Sequence, residues 1–280
     1  MKLGYLTACT AEECELAARL GFDCIEAVAA WESGELQDNA FLKGESDRIK
    51  EMLSEAGISI SALALFKAGR FDVRERAEHY RGIIRMCEAL GVGVITTLTG
   101  GDPAKGLEEN LADFAAVFRE VAPAAEGAGV RIAFENWPGL PAMPPMGTKN
   151  FGFTPQAWEM MFDEVPSEAF GLEFDPSHLV WQQADWAAAL RRFAPRVYHV
   201  HAKDTEIFSE RLAANGFFSA GWWRYRLPGY GVVDWRNLTS ILKETGYDGA
   251  VCIEHEDPVF SDERRAEGLQ KGHDFLRPLM

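Results

Sequence analysis

The sequence predicts one α/β domain, a closed (β/α)8 TIM barrel that spans residues 1–280. Eight short apolar runs, each suited to a strand buried on both faces, alternate with amphipathic helical patterns. Five of the helical patterns end in a glycine followed at once by a β-branched or aromatic residue, which indicates a helix that stops and leads into a strand. Eight β/α pairs in 280 residues fit a closed barrel better than an open doubly wound sheet.

The predicted elements follow one another without a linker or a break in composition, which favours a single domain. The predicted strands are Lys2–Leu6, Cys24–Val28, Ile58–Leu65, Val92–Leu98, Arg131–Phe134, Gly171–Phe174, Val197–Val200 and Ala250–Ile253. The predicted helices are Ala11–Leu20, Ser46–Ala56, Arg74–Leu90, Leu107–Gly127, Pro155–Val165, Trp186–Phe193, Trp235–Thr245 and Glu263–Arg277. The glycines that end five helices, and that we expect to be left-handed, are Gly21, Gly57, Gly91, Gly129 and Gly246.

Two connections are unusually long, Trp137–Met146 after predicted strand five and residues 205–231 after predicted strand seven. Long loops in a compact domain are usually functional, and in a barrel both would rise from the C-terminal face, where active sites lie. The second is an insertion rich in aromatic and arginine side chains, which suits a lid over a sugar and equally a subunit interface in a homo-oligomer. Those side chains are Phe208, Phe217, Phe218, Trp222, Trp223, Tyr225, Tyr230, Arg211, Arg224 and Arg226.

The charge balance disfavours two classes of partner. The chain has 43 acidic against 28 basic residues and a net charge of -15, so its surface would repel nucleic acid and anionic lipid. The amino terminus lacks the pattern of an export signal, and no segment is apolar for long enough to cross a bilayer. The five cysteines are scattered and form no Cys-x-x-Cys motif, which fits a reducing compartment. We therefore expect a cytoplasmic protein without nucleic-acid or membrane partners.

Four residues that can bind a metal ion lie at or just past the ends of predicted strands five to eight: Glu135, Asp175, His201 and Glu254. These strand ends are neighbours in a closed barrel, and three buried carboxylates would repel one another strongly without a cation. The oxygen-rich set favours one divalent ion, with Mn²⁺ as first candidate, Mg²⁺ or Co²⁺ next, and Zn²⁺ last. The other interpretation is that they are salt-bridged structural residues.

Five further residues are candidate substrate contacts. His178, three residues after Asp175, would bind substrate or, alternatively, lie in a turn. Lys203 would bind a substrate hydroxyl or carboxylate, or form a salt bridge to the adjacent Asp204. Glu26, at the end of predicted strand two, would contact substrate or form a structural ion pair, and the long connections contribute Trp137 and Arg224. His199 should face the barrel interior one layer below His201.

Short strings around these residues resemble one enzyme superfamily. Phe134-Glu135-Asn136, Asp175-Pro176-Ser177-His178, His199-Val200-His201-Ala202-Lys203-Asp204 and Ile253-Glu254-His255-Glu256-Asp257 are similar to motifs of the xylose-isomerase-like sugar phosphate isomerase/epimerase superfamily. That superfamily includes ketose 3-epimerases, inosose dehydratases and isomerases, and 3-keto-glycoside epimerases and lyases. The resemblance implies that Glu135, Asp175, His201 and Glu254 bind the metal, that the two glutamates also transfer protons, and that His178 contacts a substrate oxygen.

The residues and the resemblance together predict a divalent-metal-dependent isomerase or epimerase that acts on a keto-sugar or 3-keto-glycoside. A metal ion would stabilise the enediolate left when a glutamate removes a carbon-bound proton. The main alternative is a lyase or dehydratase that eliminates a β-oxygen at the same site. Where the resembling ketose 3-epimerases carry a second glutamate, this sequence has Pro138, Gly139 and Pro141, which favours an oxidised glycoside or a cyclitol over a free ketohexose.

Two other classes are weaker predictions. Endonuclease-IV-like phosphodiester cleavage needs a cluster of several metals with more histidines than the six in this acidic chain. A barrel that binds a sugar without converting it would have no use for two glutamates placed to serve as bases.

Overall fold

The computed structural model describes residues 1–30, 46–66, 72–139 and 148–280, and in this part of the chain eight parallel strands close into a barrel. The strands of the described residues, in chain order, are β1 Lys2–Thr7, β2 Cys24–Ala30, β3 Ser59–Leu65, β4 Val94–Thr97, β5 Arg131–Glu135, β6 Phe170–Phe174, β7 Val197–Ala202, β8 Asp204–Ile207, β9 Trp223–Arg226 and β10 Ala250–Ile253. The barrel runs from β1 to β7 in order and closes through β10 back to β1. The predicted TIM barrel is confirmed.

Helices flank the barrel strands. They are α1 Ala11–Leu20, α2 Ser46–Ala56, α3 Val73–Leu90, α4 Leu107–Ala128, α5 Pro155–Glu164, α6 Pro176–Trp181, α7 Trp186–Phe193, α8 Ser209–Asn215, α9 Trp235–Glu244 and α10 Arg265–Leu276. Each of the five predicted stop glycines has a positive φ, between 65° and 85°. Glycine occupies these positions because it adopts this backbone conformation without a steric penalty. None of the described helices combines the length and the apolar composition needed to cross a membrane.

Aromatic rings fill much of the layer between the barrel and its helices. The ring centroids of Phe114 and Phe118 on α4 lie 4.5 Å apart, and both rings contact Phe134 on β5. Phe118 also contacts Phe170 on β6. The opposite faces of these strands point into the barrel, because side chains alternate along a strand. The apolar outer layer therefore fixes the register in which the polar interior residues meet.

The second long connection contains secondary structure that its sequence pattern did not predict. β8 and β9 form an antiparallel hairpin that encloses α8, with Thr205 opposite Tyr225 and Glu206 opposite Arg224. The strands form because Glu206 and Arg224 attract one another across the pair and aromatic residues cover the other face. Of the first long connection, residues 140–146 lie outside the described residues. The division into one domain with an insertion at 205–231 stays a prediction.

Two glycine substitutions test how tightly the barrel is packed. A methyl group at Gly171 on β6 would meet the carbonyl oxygen of Arg196 and the ring of Tyr198, whereas nothing lies within 4 Å of one at Gly127 on α4. We expect Gly171→Ala to lower the free energy of unfolding by about 2 kcal/mol or more. Gly127→Ala should raise it by up to about 1 kcal/mol, since alanine favours the helix. Denaturant unfolding followed by circular dichroism measures both, and a neutral Gly171→Ala would contradict the packing described.

Candidate active site and metal centre

The structure brings the four predicted metal ligands together at the carboxyl ends of adjacent strands. Glu135 ends β5, Asp175 follows β6, His201 lies in β7 and Glu254 follows β10. His201 Nδ1 lies 3.1 Å from Glu254 Oε2 and 3.4 Å from Glu135 Oε1. Glu135 and Asp175 both lie 3.2 Å from Nε2 of His178. Side chains from four adjacent barrel strands therefore share one site, and their role as metal ligands stays a prediction.

The donor set fits a divalent cation. Atoms of Glu135, Asp175 and Glu254 that can bind a metal lie within 4.8 Å of one another together with one of His178, whereas His201 forms such a group with Glu26, Glu173 and His199. Asp175 Oδ2 is buried 3.3 Å from Lys203 Nζ, yet no described residue meets it with hydrogen-bond geometry. A buried carboxylate oxygen without a donor is costly unless a cation satisfies it. A divalent ion would supply that cation.

Electrostatics keep the two glutamates ionised. Burial would raise the pKa of Glu135, but the hydrogen bonds with His178 and His201 hold it well below its usual range. Burial also opposes ionisation of Glu254, and the charge of Lys203 nevertheless lowers its pKa to about 2. Both side chains are therefore charged at neutral pH and able to accept a proton or bind a cation.

Lys203 brings a positive charge to one side of the site. Its buried ammonium group lies 2.5 Å from Glu254, 3.1 Å from Glu256 and 3.3 Å from Asp175. Burial opposes its charge, but Glu254 and Glu256 outweigh that penalty and raise the pKa of Lys203 well above its usual value. The neighbouring Asp204, considered above as an alternative partner, instead accepts hydrogen bonds from backbone N–H groups and a tryptophan.

The hairpin contributes a residue whose role the sequence analysis missed. The hydroxyl of Tyr225 on β9 lies 2.8 Å from His178 Nδ1, so the other ring nitrogen of His178 points at Glu135 and Asp175. Trp181 Nε1 donates to the same hydroxyl at 3.3 Å. Tyr225 was predicted only as one aromatic residue of the insertion. Alternation along β9, which gives Trp223 and Tyr225 a common face, is the signal that could have selected it.

Two predicted substrate contacts lie at different edges of the site. Trp137 packs against an apolar cluster of Ala64, Phe66 and Leu98, and the Phe66 ring lies 6.3 Å from that of His201. Arg224 lies on the face of β9 opposite Tyr225, because neighbouring strand residues point to opposite sides. Its Nε donates to Glu206 at 2.7 Å. The structure therefore places Trp137 on an apolar cluster of which Phe66 neighbours His201, and it pairs Arg224 with another hairpin residue.

A second polar layer lies directly beneath the candidate ligands. Glu26, Glu173, His199 and His201 are all buried, and ligand-type atoms of the four lie within 4.8 Å of one another. Burial and the charge of Glu26 raise the pKa of Glu173, while His201 and His199 overcome burial and lower the pKa of Glu26 to about 2. Glu173 was not a predicted site residue, although it shares its strand parity with Asp175. His199 faces the interior one layer below His201, as its spacing indicated.

Asp204 ties the start of the hairpin to the segment that follows it. Its Oδ1 accepts hydrogen bonds from the backbone N–H groups of Thr205 and Val233 at 2.8 and 3.0 Å. Its Oδ2 accepts from the backbone of Gly229 at 3.0 Å and from Trp235 Nε1 at 2.9 Å. Both ends of the insertion are thereby tied to one buried carboxylate next to Lys203.

Comparisons with known proteins agree with this fold. Residues 14–279 match the family model described as xylose isomerase-like TIM barrel. A curated relative, the uncharacterized protein YfiH of Bacillus subtilis (strain 168), is 30% identical over 157 residues, which cover 52% of this chain and 47% of the relative. The inosose dehydratase of Geobacillus thermodenitrificans (strain NG80-2) is 24% identical over 237 residues, 76% of this chain and 75% of that protein. The chain thus spans about half the length of the first of these relatives.

Solved structures share the fold over nearly the whole chain. The IolI protein with a binding zinc atom has a TM-score of 0.75 at 23% identity and covers 100% of this chain and 98% of its own. The 3-keto-D-glucoside 4-epimerase YcjR from E. coli has a TM-score of 0.73 at 17% identity, with 99% of both chains covered. At these identities the likeness shows the fold alone.

Replacing the anchor carboxylate by an amide tests its role. Asp204→Asn would place an amide group opposite two N–H donors, so we expect a loss of about 2–4 kcal/mol in the free energy of unfolding. The matched control is Asp234→Asn: Asp234 caps α9 by accepting from Asn237 N at 3.0 Å, and asparagine caps helices equally well, so the change should be near zero. Denaturant unfolding measures the free energy of unfolding of both variants. Equal losses in the two variants would refute the proposed structural role of Asp204.

Proposed function

Because the chain belongs to the xylose isomerase-like TIM barrel family, we propose that it is a divalent-metal-dependent isomerase or epimerase of a keto-sugar or a 3-keto-glycoside. The observation that carries this proposal is the convergence of two ionised glutamates, Glu135 and Glu254, whose oxygens lie 3.4 and 3.1 Å from His201 Nδ1. A site of this kind can remove a proton from a carbon next to a carbonyl group and return it elsewhere. A small carbohydrate is the proposed substrate.

Glu135, Asp175, His201 and Glu254 would hold the ion. When bound there, a divalent cation supplies Lewis-acid stabilisation of the negative charge that develops on the substrate oxygens as the carbon-bound proton leaves. Three carboxylates and one imidazole support Mn²⁺ as the physiological ion, ahead of Mg²⁺ and Co²⁺. Zinc is also a candidate, since the IolI structure is described with a bound zinc atom.

Glu135 and Glu254 are the proposed proton acceptor and donor. β6 and β7 separate their strands around the barrel, so the two carboxylates approach the site from different sides. A proton removed by one can be replaced by the other on the opposite face, which inverts the carbon. Return of the proton to the adjacent carbon would instead move the carbonyl group.

The surrounding side chains are proposed to bind and orient the sugar. His178 is held by the Tyr225 hydroxyl and can meet a substrate oxygen, while the ammonium group of Lys203 can bind a hydroxyl or carboxylate. Trp137 offers an apolar wall for the C–H face of a ring. Arg224 remains a proposal for the same role, whereas both oxygens of the buried Glu26 face His201 and Thr96. We also propose a cytoplasmic location, supported by five free thiols, and retain a homo-oligomer as a proposal.

A lyase or dehydratase is the second candidate, and the sequence relatives favour it. Inosose dehydratases are among the curated proteins most similar to this chain, one of them over 76% of it. The same proton removal by Glu135 or Glu254 would then be followed by loss of a β-oxygen. The two candidate reactions share the removal of the carbon-bound proton. They differ in the next step, in which the opposite carboxylate or a neighbouring acid either returns a proton to carbon or assists the loss of the β-oxygen.

Substituting the glutamates tests the proposed chemistry. We expect Glu135→Gln and Glu254→Gln each to lower turnover by at least about 10³-fold, since an amide cannot accept the proton. The matched control is Glu78→Gln on α3, an exposed side chain paired with Arg81, which should keep full activity. The assay incubates Mn²⁺-loaded protein with keto-sugars, 3-keto-glycosides and inososes in deuterated water.

The products distinguish the candidates. Deuterium entering a saturated sugar would support the isomerase or epimerase, whereas an absorbing enone or a released aglycone would support the lyase. A glutamate variant with near-normal turnover would remove that residue from the mechanism. No conversion of any of these substrates by the metal-loaded protein would contradict the proposed function.

A further inference from the structure

The two nitrogens of the His201 ring face two different polar layers. Nδ1 points at Glu135 and Glu254, the candidate metal ligands above. Nε2 faces the second polar layer and lies 2.8 Å from Glu26 Oε2 and 3.0 Å from Glu173 Oε1. The ring is fully buried, so these protein groups, rather than solvent, determine which nitrogen carries the proton.

A neutral imidazole donates from one nitrogen and accepts at the other. An ion can bind only the nitrogen that lacks a proton, so Nδ1 is available to the site when Nε2 carries the hydrogen. A carboxylate beneath Nε2 accepts that hydrogen and fixes this tautomer. Two carboxylates lie there, and their hydrogen bonds differ.

Both oxygens of Glu26 accept hydrogen bonds. Oε2 faces His201 Nε2, and Oε1 accepts from the hydroxyl of Thr96 at 2.5 Å. Glu173 uses only one oxygen: Oε1 lies 2.9 Å from His199 Nδ1 and 3.0 Å from His201 Nε2. Among the described residues no donor reaches Glu173 Oε2. Thr96 therefore holds Glu26, and not Glu173, in a defined orientation toward His201.

We propose that Glu26 is a positioning residue that accepts the Nε2 proton of His201 and so presents Nδ1 of that histidine as a metal-binding lone pair. The proposal rests on the metal site of the proposed function and assigns Glu26 a role through His201 rather than in substrate contact. Carboxylates that orient metal-bound histidines raise metal affinity, typically by about 10–100-fold.

Matched Glu→Gln substitutions separate the two carboxylates. A glutamine at position 26 has a single acceptor oxygen for two donors, Thr96 and His201, so when that oxygen stays with the Thr96 hydroxyl the amide N–H₂ faces Nε2 and cannot accept its proton. A glutamine at position 173 keeps its acceptor toward both histidines, because its N–H₂ group can replace the oxygen that has no donor among the described residues. The same chemical change should therefore have unequal effects.

The experiment measures the dissociation constants of Zn²⁺ and Mn²⁺ by competition with a chromophoric chelator, using the full chain freed of metal. We expect Glu26→Gln to weaken binding about 10–100-fold and Glu173→Gln to change it less than about threefold. Proton spectra of the Co²⁺-loaded protein give a second readout, since the solvent-exchangeable Nε2 proton should shift and exchange faster in Glu26→Gln alone. A merely structural role would alter the unfolding temperature without moving that signal.

Equal affinity of Glu26→Gln and the unchanged protein, or a larger loss in Glu173→Gln, would overturn the proposal. If Glu26→Gln does not fold, Thr96→Val provides the test: it keeps both glutamates and the side-chain volume but removes the donor that orients Glu26. We expect it to weaken metal binding about fivefold, and an unchanged affinity would contradict the proposal.

The outcome also distinguishes this proposal from the proposed function. If the unchanged protein binds no divalent ion, the metal site itself fails. If the ion binds and Glu135→Gln abolishes binding while Glu26→Gln leaves the affinity unchanged, the metal site stands and only the positioning role of Glu26 is wrong.

Discussion

Buried negative charge governs the upper half of this barrel. Five carboxylates, those of Glu26, Glu135, Glu173, Asp175 and Glu254, lie within two adjacent polar layers whose common member is His201. Such groups repel one another in an environment of low polarity unless protons or cations are shared among them. Lys203 balances part of this charge on the side of Glu254. A divalent ion would balance the part that Lys203 leaves, and the proposed chemistry would use the same charges.

The barrel scaffold and the hairpin contribute differently to the site. The barrel supplies the candidate ligands on strands whose register is fixed by the aromatic layer outside, which gives rigid positions. The hairpin supplies Tyr225, which orients His178, and it is tied down through Asp204 beside Lys203. A change of sequence in the hairpin could therefore alter how substrate is held without disturbing the ligands. This division suits a fold in which one metal site serves several reactions.

Local patterns were sufficient to predict much of the structure. Apolar runs and stop glycines predicted the eight barrel strands, since a left-handed residue such as Gly91 is needed wherever a helix turns back toward the sheet. The position of Glu135 and Glu254 at strand ends predicted their convergence, because parallel strands of a barrel end on the same face. These inferences need only residues that are close in sequence and the geometry of the fold.

Contacts between distant parts of the chain were not predictable in the same way. Tyr225 meets His178 across 47 residues, and this contact depends on an antiparallel pairing that carries no strong local signal. Glu173 lies inside an apolar strand, where only its parity marks it, and Thr96 meets Glu26 across 70 residues. The second polar layer beneath the candidate ligands thus becomes visible only when the barrel is closed.

Anomalous diffraction from crystals containing Mn²⁺, recorded at the manganese absorption edge, tests the shared cation most directly. We expect one strong peak about 2.0–2.3 Å from oxygens of Glu135, Asp175 and Glu254 and from Nδ1 of His201. A site without a peak, or a peak bound only by the lower layer of Glu26, Glu173 and His199, would contradict the proposed metal centre.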